Sequence, residues 1–122
     1  MNRPKKEKKV LVTGSSGFLG SHIADALDDA GYKVTLFDIN KSKYKRNTQN
    51  EITGDILNYK DVLKAMTGHD LVYHFAAQAD IESSGSDPTR TIKANILGTQ
   101  NILEASLKEK IDRILFASTI YV

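Results

Sequence analysis

The chain has 122 residues, 40% of them hydrophobic, with no cysteine and a formal net charge of +2. One domain is the most this length holds, and its apolar content suffices for a core; the missing cysteines exclude a disulfide framework, a thiolate metal site and a cysteine nucleophile. Arg3, Lys5, Lys6, Lys8 and Lys9 against Glu7 contribute +4, so residues 10–122 carry −2 and offer no basic face for nucleic acid.

Residues 1–8 read as a solvated basic tail ahead of a domain over residues 9–122. No apolar region behind those charges matches a secretory signal, and no apolar run approaches a membrane span. A cytoplasmic protein without a membrane partner is the expectation. Residues 10–13 read as a short buried strand. The turn Gly14-Ser15-Ser16-Gly17-Phe18-Leu19-Gly20 follows and opens a helix over 17–30, with Leu19, Ile23, Leu27 and Ala30 at helical spacing and Gly31 as the cap. A sharp strand-to-helix turn needs residues without Cβ, so that the backbone can approach a ligand. The N–H groups of the helix's first turn, with its dipole, then favour a phosphate or pyrophosphate above them. That order of strand, glycine turn and helix points to dinucleotide binding.

Residues 33–38 form the second expected strand, ending on Asp38. A carboxylate there suits both hydroxyls of an adenosine ribose and repels a 2′-phosphate. Residues 40–50 are polar, basic and aperiodic, a loop or a poor helix, with Lys41, Lys43, Lys45 and Arg46 read as solvated. A short third strand at 51–53 precedes Gly54-Asp55. On spacing alone, Asp55 serves equally as an adenine contact or as an exposed turn residue. Asn58 caps a helix that runs to residue 67, with Val62, Leu63 and Met66 inward and Gly68 as its stop. Residues 71–75 read as the fourth strand, and Ser83-Ser84-Gly85-Ser86 as a loop. Asp87-Pro88 caps a helix carrying Ile92, Ile96, Thr99, Leu103 and Leu107 on one stripe. A fifth strand spans 113–117. His22 reads as a helix-face or packing residue, His69 falls in a turn and His74 at a strand end, and no spacing of ligands suggests a metal.

Regular alternation of strand and helix implies parallel pairing with right-handed crossovers. The expected architecture is α/β, a doubly wound sheet in the order 3-2-1-4-5, with a ligand crevice between strands 1 and 4. Six motifs stand in register: the glycine turn, Asp38, Gly54-Asp55-Ile56, His74-Phe75-Ala76-Ala77, Asn95-Ile96-Leu97-Gly98-Thr99 and Phe116-Ala117-Ser118-Thr119. Together they resemble the N-terminal part of an extended short-chain dehydrogenase/reductase of the nucleotide-sugar epimerase/dehydratase group. The resemblance covers residues 9–122 and implies a Rossmann-type domain, truncated before the later strands and the sugar-binding region. It implies NAD as cofactor, in preference to NADP, and a nucleotide sugar as substrate. Gly14, Ser16, Gly17, Phe18, Leu19 and Gly20 would serve the pyrophosphate turn and Asp38 the ribose. Asp55 and Ile56 would meet adenine, Phe75, Ala76 and Ala77 would line the cofactor, and Asn95 would steady the region beside the nicotinamide half. Thr119 falls at the family's catalytic hydroxyl, with Ser118 in support.

The family's general base is a tyrosine with a lysine four residues on. Here Tyr32, Tyr44, Tyr59 and Tyr73 are followed at that spacing by Leu36, Thr48, Leu63 and Ala77, and Tyr121 has no fourth successor. NAD binding without turnover is therefore the expectation for these residues, the alternative being a non-catalytic NAD(P)-binding sensor or interaction module. The family also sets a sixth strand beside the fifth. With Ile114, Leu115 and Phe116 left at an edge, self-association into a homo-oligomer is expected.

Overall fold

Strands and helices alternate along the chain in the computed structural model, which describes residues 8–77 and 85–118. Strand β1 (Lys9–Thr13) lies between β2 (Lys33–Asp38) and β4 (Leu71–His74); β3 (Asn50–Thr53) flanks β2 and β5 (Arg113–Phe116) flanks β4. The order is β3-β2-β1-β4-β5 with every pairing parallel, as the alternation of the sequence implies. The register sets Thr13 against Phe37 on one side and His74 on the other, so the central strands end level with one another. The strands run slightly differently from the pattern in the sequence: β1 begins one residue earlier at Lys9, while β4 stops at His74 and β5 at Phe116.

Both faces of the sheet are covered, so β1 reads as an unbroken apolar run rather than an alternating one. Val10, Val12, Val34 and Leu36 face helix α1 (Phe18–Asp29) and pack with Ala24 and Leu27. Leu11, Phe37 and Val72 face the other way, packing with Val62, Ala65 and Met66 of α2 (Tyr59–Met66) and with Ile102 and Ala105 of α4 (Gly98–Lys108). A short helix α3 (Pro88–Ile92) and a π-helical segment (Lys93–Leu97) lead directly into α4. None of the described helices is long and apolar enough to cross a membrane.

Cap chemistry holds where it was expected. The Asn58 side chain accepts from the Lys60 and Asp61 N–H groups, and Asp87 accepts from Arg90 N–H with Pro88 behind it. Tyr32 N–H reaches Leu27 O at 3.1 Å across Gly31, closing α1. Two helix faces differ from their apolar spacing. In α1 the buried positions are Gly20, Ala24 and Leu27, whereas Leu19 is exposed at the start of the helix. Along the run from α3 to α4 Ile92, Ile96, Leu103 and Leu107 are exposed, and the inner face of α4 is Gly98, Ile102, Ala105 and Ser106. The cause is close approach: a Cβ on Gly98 would lie 2.5 Å from Ile56 Cδ1, so small residues take the inner side and the bulky stripe faces out.

The 40–50 segment is a loop running into β3, and Arg46 within it is not simply solvated. Its guanidinium lies 3.3 Å from Asp25, 3.2 Å from Asp28 and 2.7 Å from Asp29 in the last turns of α1. Thr48 and Gln49 bond Asp28 and Asp25 beside it. Apart from Lys8, the basic tail lies outside the described residues, as do Ser83, Ser84, Thr119 and Tyr121.

Candidate functional site

The winding of the sheet reverses between β1 and β4, and at the carboxyl ends of two such strands a doubly wound sheet leaves a crevice. A cleft of about 830 Å³ occupies it. That volume lies in the range of cofactor sites. The glycine turn forms one side of the cleft. At Gly14 the chain leaves β1 with φ 68°, a left-handed conformation that favours glycine. A Cβ on Gly14 would also lie 2.6 Å from Ala76 N and from Phe75 C, so the turn and the end of β4 have closed on one another. Gly20 serves a different need. A Cβ there would collide with the Gly14 carbonyl, so its absence lets α1 sit directly against the turn. Gly17 is the N-cap without any side-chain cap, and Phe18, Leu19 and Gly20 line the cleft from the helix start.

Asp38 ties the second wall to the first. One carboxylate oxygen accepts from Ser16 N–H at 3.0 Å and the other from Asn40 N–H at 2.9 Å. Ser16 Oγ donates to Asn40 O at 2.7 Å, which completes the clasp between the glycine turn and the loop after β2. Each carboxylate oxygen retains acceptor capacity for ligand hydroxyls. Asp55 is exposed at the cleft; its Oδ1 accepts from Leu57 N–H at 2.9 Å, shaping the turn after β3. Ile56 is buried beneath it, and its carbonyl accepts from Asn101 Nδ2 at 2.8 Å.

The third wall rises from β4. Phe75, Ala76 and Ala77 line the cleft, and the Phe75 and Ala76 N–H groups each donate to Thr13 Oγ at 3.1 Å. Thr13 Oγ lies 2.7 Å from His74 Nδ1, and Thr99 Oγ lies 3.1 Å from His74 Nε2. Thr99 Oγ also donates to the Asn95 carbonyl at 2.7 Å. Burial pushes the His74 imidazole down from 6.5 to about 4, so it is neutral across the physiological range. Asn95 sits in the π-helical segment; from that helical run it is Arg90 and Ala94 that line the cleft. Ala117 lines its far edge, with Ser118 exposed just after it, while Thr119 lies outside the described residues.

The crevice thus gathers the glycine turn, Asp38, Asp55, Ile56 and the Phe75–Ala77 end of β4 into one site. Sequence reasoning overlooked Ile39, Asn40, Leu57, Ala94 and Arg90, which line the same space. Ile39 was findable: it is apolar, exposed and directly behind Asp38 at the end of β2, whereas Leu57 stands two residues beyond Asp55 in the turn after β3. Among the described residues no cluster of side chains could hold a metal ion.

A family model described as the NAD dependent epimerase/dehydratase family matches residues 10–122. The chain is 37% identical over 120 residues to a UDP-N-acetyl-alpha-D-glucosaminuronate decarboxylase from Bacillus cytotoxicus, spanning 93% of this chain and 37% of that protein. A UDP-glucose 4-epimerase from Thermotoga maritima, solved with UDP-glucose, superimposes with a TM-score of 0.84 at 33% identity, over 91% of this chain and 38% of that one. A UDP-glucose 4-epimerase from Thermus thermophilus, solved as a complex with NAD, gives 0.84 at 33% identity, over 91% and 37%. The chain spans somewhat over a third of the length of these proteins.

Proposed function

Because the chain belongs to the NAD dependent epimerase/dehydratase family, we propose that its crevice binds NAD and that it forms the cofactor-binding part of an oxidoreductase acting on a nucleotide sugar. The observation that carries this reading is the clasp of Asp38 on the glycine turn, which itself packs against the Phe75–Ala76 backbone. The turn of α1 would take the pyrophosphate, Asp38 the ribose, and Asp55 with Ile56 the adenine. Phe75, Ala76, Ala77 and Asn95 would serve the nicotinamide side. Bound there, the cofactor supplies hydride transfer to and from the sugar. Thr119, supported by Ser118, would hydrogen-bond the reacting sugar hydroxyl or carbonyl.

Relatives that carry UDP-glucose or UDP-sugar names support a nucleotide sugar as substrate. A cytoplasmic setting is part of the proposal, supported by a composition without cysteine. So is self-association, since β5 is an edge strand among the described residues and the run from α3 to α4 exposes Ile92, Ile96, Leu103 and Leu107.

Titration calorimetry with both cofactors tests the core of this reading. NAD should bind about tenfold or more tightly than NADP, because a 2′-phosphate would face the Asp38 carboxylate, and Asp38→Ala should narrow the gap. Equal or tighter NADP binding would show that Asp38 serves only the loop. A protein of these 122 residues with NAD and a UDP-sugar should show no turnover, as no tyrosine has a lysine four residues on. Turnover abolished by Thr119→Ala would reveal a base elsewhere in the chain.

A further inference from the structure

Thr13, His74 and Thr99 come from β1, β4 and α4, and their hydrogen bonds permit one assignment of protons. A threonine oxygen has two lone pairs and one proton. Both lone pairs of Thr13 Oγ are engaged by the Phe75 and Ala76 N–H groups, the first shared with the Thr13 carbonyl. Its proton therefore goes to His74 Nδ1, 2.7 Å away. Across the ring, Thr99 Oγ gives its own proton to the Asn95 carbonyl, so at 3.1 Å it accepts from His74 Nε2–H.

We infer that His74 is a positioning residue for the cofactor cleft: as the neutral Nε2–H tautomer it joins the glycine turn, the end of β4 and the π-helical segment in one directional chain of hydrogen bonds. This role rests on the NAD-binding reading above. Both ends of the chain act on the cleft. Thr13 directly precedes Gly14, and the amides it holds belong to Phe75 and Ala76, which line the space. The turn and those amides are already in contact, so a slip in one displaces the other. At the other end, the Gly98 N–H reaches back five residues to Lys93 O. A π-helical turn of this kind departs from the usual ladder, and the Thr99 hydroxyl engages the Asn95 carbonyl there. Ala94, in the same segment, lines the cleft. The opposite tautomer would aim an N–H at an oxygen whose lone pairs are both occupied. Either the Ala76 amide bond would then have to break, or the Phe75 N–H would withdraw to the Thr13 carbonyl that it also reaches at 3.1 Å.

Nitrogen NMR of isotope-labelled histidine in the whole protein reads the tautomer, and calorimetry reads NAD affinity. At neutral pH, His74 should show a protonated Nε2 and a bare Nδ1. Thr99→Val should weaken NAD binding about tenfold, the cost of leaving buried polar groups unpaired. Thr99→Ser should return it to within about twofold, and in a His74→Gln background Thr99→Val should add less than about twofold, since the chain is already cut. An Nδ1–H ring or an imidazolium at neutral pH would overturn the assignment. Thr99→Val that lowers the melting temperature but leaves NAD affinity and the His74 resonances unchanged would overturn the role, leaving the cofactor reading intact. If the unsubstituted protein binds no NAD, that reading fails and the role falls with it.

Discussion

At Gly20 and Gly17 the same substitution should have different consequences. A Cβ on Gly20 meets the Gly14 carbonyl head on, whereas one on Gly17 meets only that carbonyl, at 3.3 Å. Gly20→Ala should therefore destabilise the protein by about 1–3 kcal/mol through overpacking, and Gly17→Ala by less than about 1 kcal/mol. Urea midpoints of the two variants check this, and equal losses would show that the turn yields freely. His74 provides the second prediction at this scale. Its folded value is near 4 against 6.5 unfolded, so the unfolded state binds the extra proton between those limits. Its contribution is fully present above about pH 6.5 and is lost as pH falls from there to about 4. The loss amounts to about 3 kcal/mol at most. His69, also lowered by burial, acts in the same direction. His74→Gln should thus flatten the acid limb of stability against pH without abolishing it; an unchanged slope would place the titration elsewhere.

Among the elements, strand order was legible because alternation of strand and helix leaves few topologies for a parallel sheet. The caps at Asn58 and Asp87 were legible because a cap is a local bond. The outer stripe of the last helix misled because apolar spacing reports a face, not what the face meets; the small residues Gly98 and Ala105 won the inner side through close approach. The site divides in the same way. Glycine spacing and an acidic strand end are visible in one dimension, but Thr13 and His74 are 61 residues apart, and only the sheet register joins them. Arg46 was misread as solvated for that reason, its partners lying on α1. Acids at a helix C-terminus oppose its dipole, and Arg46 offsets three of them. Arg46→Ala should lower the melting temperature only modestly in low salt, because exposed ion pairs are weak. At about 1 M salt most of that difference should vanish, since screening removes what the cation supplies. Thermal melts at both ionic strengths test this.

For the whole molecule, a folded part of net charge −2 resists association weakly. Against it stand the apolar outer stripe and Phe116, 72% exposed on the edge strand. Sedimentation should show a dimer or larger species for a protein of these residues, with Ile96→Glu and Leu103→Glu together shifting it towards monomer. A clean monomer over a wide concentration range would refute self-association. The loop between β2 and β3 has a broader consequence. It grips the beginning of α1 through Asp38 and Asn40, and the end of the same helix through Arg46, Thr48 and Gln49. Surface loops usually accept added or lost residues at small entropic cost. This one is a strut fastened at both ends of a twelve-residue rod. A single inserted residue would leave one fastening out of register, so variation in length is better tolerated elsewhere on the surface.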